Sequence, residues 1–106
     1  MTNLKDYPYK ITLKKWNGQD GKYFIAKVPE LQGCISDGVT IKEAIRNIKE
    51  AMIGYIEVKL EFEDELPKPL NTDLIVEIQG EYSDEEKQEC FAAVRKMKAM
   101  LREIDH

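Results

Sequence analysis

Thr40-Ile41-Lys42-Glu43-Ala44-Ile45-Arg46-Asn47-Ile48-Lys49-Glu50-Ala51-Met52-Ile53-Gly54-Tyr55-Ile56 is the stretch that decides how this chain folds. Thr40 and Glu43 have the form of a capping box, in which the threonine hydroxyl takes an orphan backbone N–H and the glutamate reaches back to the threonine N–H. Ile41, Ala44, Ile45, Ile48, Ala51, Met52, Tyr55 and Ile56 then step by three and four, while Lys42, Glu43, Arg46, Lys49 and Glu50 take the other side. The pattern predicts a helix from Thr40 to about Leu60 whose apolar stripe covers one face of a sheet. Burying a large aliphatic side chain stabilises by roughly 1.5–3 kcal/mol, so Ile45, Ile48 and Met52 are expected to be major stabilisers.

Upstream, the residues alternate instead. Tyr9, Ile11 and Leu13 interleave with Lys10, Thr12 and Lys14, which predicts a strand from about Tyr7 to Trp16 with one dry face. Asn17-Gly18-Gln19-Asp20-Gly21 supplies turn residues, and Lys22 to Val28, with Tyr23, Phe24 and Ile25, completes a hairpin. Pro29 cannot donate to a ladder, so the second strand ends there and Glu30-Leu31-Gln32-Gly33 turns into a short third strand, Cys34 to Ser36.

Downstream, Glu61-Phe62-Glu63-Asp64-Glu65 and Leu66-Pro67-Lys68-Pro69 read as an acidic helix exit and an extended connector. Leu74, Val76 and Ile78 predict a fourth strand that stops at Gly80, reached by a parallel crossover. Ser83-Asp84-Glu85-Glu86 repeats the capping-box pattern and opens a last helix running to about Ile104. On it Cys90, Val94, Met97, Leu101 and Ile104 follow four-three-four-three spacing, with Phe91 and Met100 widening the seam. The sum is an α+β domain, a small mixed sheet with one face covered by a helix, in the order β-β-β-α-β-α.

At 106 residues the chain has room for one domain, and 42% apolar against 34% charged residues is a globular balance rather than that of a disordered chain. No apolar run approaches the roughly 20 residues of a membrane span and no secretory h-region opens the sequence, which predicts an intracellular, cytoplasmic protein. A net charge of −4 gives the whole chain no affinity for phosphate backbones, so nucleic-acid contact would need a local basic patch.

Catalytic candidates are few. The single histidine, His106, is the last residue. Cys34 has no histidine near it to activate a thiolate and reads as a small packed residue, and Cys34 and Cys90 lack the spacing of a zinc or redox pair. Glu61, Glu63, Asp64 and Glu65 stand in one run without separated metal ligands, so a solvated helix end is expected rather than a magnesium site. Arg95, Lys96, Lys98 and Arg102 make a modest basic face on the last helix, which complements the helix dipole. No glycine-rich phosphate cradle is present, and neither a cofactor, a metal nor catalysis is expected.

Tyr23-Phe24-Ile25-Ala26-Lys27-Val28-Pro29-Glu30-Leu31-Gln32-Gly33-Cys34 resembles the HicB family, whose mark is an aromatic strand followed by P-[DE]-L-x-G-C. Asp37-Gly38-Val39-Thr40-Ile41-Lys42-Glu43-Ala44 resembles the family's G-x-T-x-x-E-A helix start, and Leu66-Pro67-Lys68-Pro69 its proline-bearing segment. The resemblance runs from about Tyr7 to Ile78. It implies a partial ribonuclease-H-like fold without nuclease chemistry, usually oligomeric, encoded beside a small HicA toxin that cuts messenger RNA and that the antitoxin neutralises by covering it. Pro29, Glu30, Leu31, Gly33, Cys34 and Gly38 are then the family motif and the candidate partner surface. Many members add a DNA-binding motif, but Ser83 to His106 provides a single helix, so direct DNA contact is not expected.

Residues 1–80 are thus expected to form the HicB-like domain and 81–106 an oligomerising helix. The apolar stripes exceed what one small sheet covers, and the edge strand around Cys34 to Ser36 exposes pairing groups. A homodimer or dimer of dimers is expected, with Cys90, Val94, Met97, Leu101 and Ile104 at its interface. A solitary oligomeric regulator or scaffold without a toxin is the alternative to an antitoxin.

Overall fold

A computed structural model of the chain describes residues 6–19, 21–70 and 75–104, with the side chains of the last helix as far as residue 98. The elements are β1 (Ile11–Gly18), β2 (Gly21–Lys27), β3 (Ile35–Gly38), α1 (Ile41–Glu61), β4 (Val76–Gln79) and α2 (Asp84–Ile104). The sheet order is β3-β2-β1-β4, with β1–β2 and β2–β3 antiparallel and β4 parallel to β1. The expected β-β-β-α-β-α order and α+β class are those of the structure.

The register shows how the alternation is used. Leu13 stands opposite Ala26, Lys15 opposite Phe24, and Ile11 beside Val76, so odd positions of β1 share a face with even positions of β2. Tyr9, Ile11, Leu13, Phe24, Ala26 and Val28 are buried there beneath α1. From α1 come Ile41, Ala44, Ile45, Ile48, Met52 and Ile56, the stripe read from the sequence, while Ala51 and Tyr55 lie half-buried at its border.

Two contacts seat α1. Thr40 is its N-cap, in extended conformation, and its Oγ1 accepts the Glu43 N–H at 3.1 Å. Two residues earlier, at the end of β3, Gly38 lies against the first turn: a Cβ at Gly38 would come 2.5 Å from the Ala44 nitrogen and 2.9 Å from the Glu43 carbonyl carbon. Only a residue without a side chain fits between β3 and the helix start. At the far end Asp64 N–H donates to the Lys59 carbonyl at 2.8 Å and Glu63 takes the left-handed conformation, φ 54°, where glycine is usual.

The observed bounds depart from expectation in instructive ways. β1 starts at Ile11 rather than Tyr7, with the Tyr9 hydroxyl donating instead to the Pro67 carbonyl. β3 starts at Ile35, since Cys34 is spent on closing the preceding turn. β4 is confined to Val76–Gln79, and Leu74, expected to begin it, lies outside the described residues.

A polar clamp joins α2 to the sheet. Ser83 and Glu86 form a reciprocal capping box: the Glu86 N–H donates to Ser83 Oγ at 3.1 Å and the Ser83 N–H to Glu86 Oε1 at 2.9 Å. The same carboxylate takes Lys15 Nζ at 2.8 Å and Lys22 Nζ at 3.4 Å. Beside it the Tyr82 hydroxyl donates to the Leu13 carbonyl at 3.0 Å, its ring centroid 6.2 Å from that of Phe24 and 5.4 Å from Lys15 Nζ. The hydrogen bond from Lys15, then that from Ser83, hold the Glu86 carboxyl down at about 2 against an ordinary 4.5. Burial, then Cys90 and Glu86, push the Tyr82 phenol up to about 12.

The Gly38→Ala variant should lose about 1–3 kcal/mol in urea unfolding, because the added methyl meets backbone that cannot yield. Gly54→Ala, in the exposed middle of α1 with nothing within 4 Å of the added carbon, should gain roughly 0.5–1 kcal/mol from helix propensity. Equal effects at the two sites would contradict the packing described.

A second expectation concerns acid. Because the folded pKa of Glu86 lies below its ordinary value, its contribution is complete above 4.5 and is lost as pH falls from there toward about 2. Glu86→Gln should therefore be less stable at neutral pH and show a flatter loss of stability over that range. Parallel curves for the two proteins would count against the clamp.

Candidate partner-binding surface

The motif residues build a turn before they build anything else. The Val28 N–H donates to the Cys34 carbonyl, the Leu31 N–H to the Val28 carbonyl and the Cys34 N–H to the Leu31 carbonyl, each at 3.0 Å. Gly33 closes the loop at φ 84°, a left-handed conformation that costs a side-chain-bearing residue about 1–2 kcal/mol. Leu31 and Cys34 point into the core, 1% and 5% exposed, and burial raises the Cys34 thiol above its ordinary pKa, the reverse of what a nucleophile needs. Glu30 is half-buried, its carboxylate accepting the Lys10 N–H at 3.3 Å and the Leu70 N–H at 3.4 Å, which ties the run into β1 to the segment after α1.

Of the six residues expected to face a partner, Leu31, Cys34 and Gly38 are therefore covered by their own chain, and only Pro29 and Gly33 are fully open. The physical reason is that a tight turn packed under a helix consumes the side chains that define it.

The seam on α2 is also largely spent internally. Cys90 and Met97 are buried at 6% and 4% within the core, and Val94 is half-buried against it, which leaves Cys90 and Met97 little to offer a second chain. The side chains of Met100, Leu101, Arg102 and Ile104 lie outside the described residues. Phe91 does not widen the seam. It is 67% exposed on the outer side of α2, with the Arg95 guanidinium 5.1 Å from its ring.

The acidic run Glu61, Glu63, Asp64 and Glu65 is exposed, with Lys59 Nζ 4.0 Å from Asp64. Among the described residues no group of three or more His, Cys, Asp or Glu side chains is placed to hold a metal ion. His106 lies outside the described residues.

What the sequence reading missed is the second face of the sheet. The α1 stripe and Tyr82 both lie on the side of Leu13 and Phe24. The opposite side, carrying Lys14 and Trp16 of β1, Tyr23, Ile25 and Lys27 of β2, Ile35 and Asp37 of β3 and Glu77 of β4, has no covering element among the described residues. Trp16 is 47% and Ile35 52% exposed, with Tyr23 and Ile25 half-buried between them. Lys14 Nζ sits 5.6 Å from the Trp16 ring, and Lys10 pairs with Glu77 at 3.0 Å. Parity was the available signal: Trp16 shares the phase of Lys10, Thr12 and Lys14, of which only Thr12 is buried, and not that of the core residues Ile11 and Leu13. An uncovered face with a tryptophan, isoleucines and ringed charges has the make-up of a protein-binding surface.

A family model described as HicB_like antitoxin of bacterial toxin-antitoxin system matches residues 9–102. A 14.9 kDa protein of the rep-hol intergenic region of Haemophilus phage HP1 is 41% identical over 76 residues, 72% of this chain and 53% of the phage protein. The chain thus spans about half the length of that relative. A UPF0150 protein of Synechocystis sp. is 44% identical over 76 residues, 72% of this chain and 89% of its own length. A UPF0150 protein of Thermoplasma acidophilum is 41% identical over 59 residues, covering 56% of this chain and 84% of the relative. No solved structure matches. With the family model spanning nearly all the described fold and the motif turn in place, this chain belongs to the HicB-like antitoxin family of bacterial toxin–antitoxin systems.

Proposed function

We propose that the chain is an antitoxin that neutralises a small HicA-like, messenger-RNA-cutting toxin by binding it, with no catalysis of its own. The observation that carries this reading is the family match over residues 9–102. The uncovered sheet face supports it, because it supplies an apolar centre with a charged rim without disturbing the core. Trp16 and Ile35 are its anchors: both are large, half or nearly half exposed, and held on strands whose other side is fixed by α1.

Both cysteines are buried, and burial raises both thiols. No helix among the described residues is long and apolar enough to cross a membrane.

Co-expression with a HicA-like toxin, encoded next to this chain as a small basic protein with one catalytic histidine, tests the reading. The two proteins should co-purify, growth arrest by the toxin should be relieved, and the purified chain should leave RNA intact with or without magnesium. Trp16→Ala and Ile35→Asp should weaken the complex roughly tenfold to a hundredfold while leaving the thermal transition in place. Relief of arrest without physical association, or the absence of any such neighbouring toxin, would favour a solitary regulator instead.

A further inference from the structure

Between the first half of α1 and the middle of α2 lies a cleft of about 640 Å³, apart from the sheet face proposed for the toxin. Its floor is apolar, made by Ile45, Ala92, Ala93 and Met97. Its rim carries Lys42, Arg46 and Lys49 from α1 and Lys96 from α2, against two carboxylates, Glu50 and Glu89. Among the described residues none of these four cations lies within salt-bridge distance of a carboxylate. A chain of net charge −4 thus concentrates unpaired positive charge around one apolar groove.

The complementary shape is at the other end of α1. Its last turn and cap present Phe62, 69% exposed, and Leu60, 48% exposed, among Glu57, Glu61, Glu63, Asp64 and Glu65, all on the surface. The Asp64-to-Lys59 hydrogen bond and the left-handed Glu63 hold this acidic knob in one shape. An aromatic ring with carboxylates on either side is the ligand that an apolar floor with a cationic rim selects. A bare phosphate backbone would use the rim and leave the floor idle.

The knob cannot reach the groove of its own chain. With a rise of 1.5 Å per residue, the straight helix holds Phe62 about 24 Å from Arg46. We infer that the groove between α1 and α2 takes the Leu60–Glu65 knob of a second copy of this chain. A two-fold axis that sets two α1 helices antiparallel satisfies both knob-and-groove contacts at once, because the basic half of each helix then faces the acidic end of the other. Self-association is therefore sited on α1 and its groove rather than on the Cys90–Met97 seam, which the chain has already buried.

Paired charge reversals test this on the full-length chain. One variant carries Arg46→Glu and Lys49→Glu with its knob unchanged. The other carries Glu61→Lys and Glu65→Lys with its groove unchanged. The unmodified protein should sediment as a dimer at micromolar concentration and dissociate as salt is raised. Each variant alone should dissociate roughly tenfold or more readily, since like charges now meet at both contacts. Their equimolar mixture should recover a heterodimer, which a variant that had merely failed to fold could not form; circular dichroism of each alone provides the same check. An unmodified chain that is monomeric, variants that dimerise as the unmodified chain does, or a mixture that stays dissociated would each overturn the proposal. So would a monomer that binds a labelled single-stranded oligonucleotide through Arg46, which would make the groove a phosphate site.

Discussion

The contact on which the rest of the structure depends is the near-touch of two backbones, β3 at Gly38 and the first turn of α1 at Glu43 and Ala44. Since the helix begins a few residues after the strand ends, that contact fixes where α1 starts, and the Thr40 cap fixes its direction. Ile41, Ala44, Ile45 and Ile48 are then carried over Phe24 and Ala26 without further adjustment. Had β3 carried any side chain at this point, α1 would have to lift from the sheet, and the stripe would lose van der Waals contact along its first two turns.

Placing α1 this way fills most of one face and leaves α2 with a different task. Its anchorage to the sheet is polar: Glu86 between two lysines and Ser83, and Tyr82 on the Leu13 carbonyl. Polar groups fixed by direction as well as distance suit a helix that arrives after the main core is formed. Cys90 and Met97 then complete the apolar contact with α1. One consequence is that both helices lie on one side, and the sheet keeps a half-apolar face that nothing in the described chain covers.

Periodicity carried the fold almost entirely. The two capping boxes read as Thr40/Glu43 and Ser83/Glu86 became hydrogen bonds, and the odd-numbered apolar residues of β1 became the core. Local pattern could not tell which side of the sheet each helix would choose, because that depends on Phe24 meeting Tyr82, 58 positions further along the chain, rather than on neighbours. For the same reason Cys90 and Met97 looked available for a second chain: helical spacing reports a stripe and not what covers it. The motif was legible as a motif but not as a turn whose defining residues face inward, since P-E-L-x-G-C names residue types and says nothing of where Leu31 and Cys34 point. By spacing, Lys42, Arg46 and Lys49 fall only on the side of α1 away from its apolar stripe, and it is the fold that sets Lys96 beside them.

The parallel pairing of β4 with β1 has a consequence for how the chain reaches its fold. β1, β2, β3 and α1 make contacts between neighbours in sequence, and these close quickly. The partner of β1's other edge comes only after all of them, when Val76–Gln79 has been synthesised and has found Ile11–Lys14. Until then the Ile11–Lys14 edge presents unpaired N–H and C=O groups beside an already ordered apolar face. A nascent chain in that state is a template for any extended strand, including the same segment of a sister chain on the same messenger, so the speed with which β4 docks sets how much of the protein reaches its native state rather than a strand-paired aggregate.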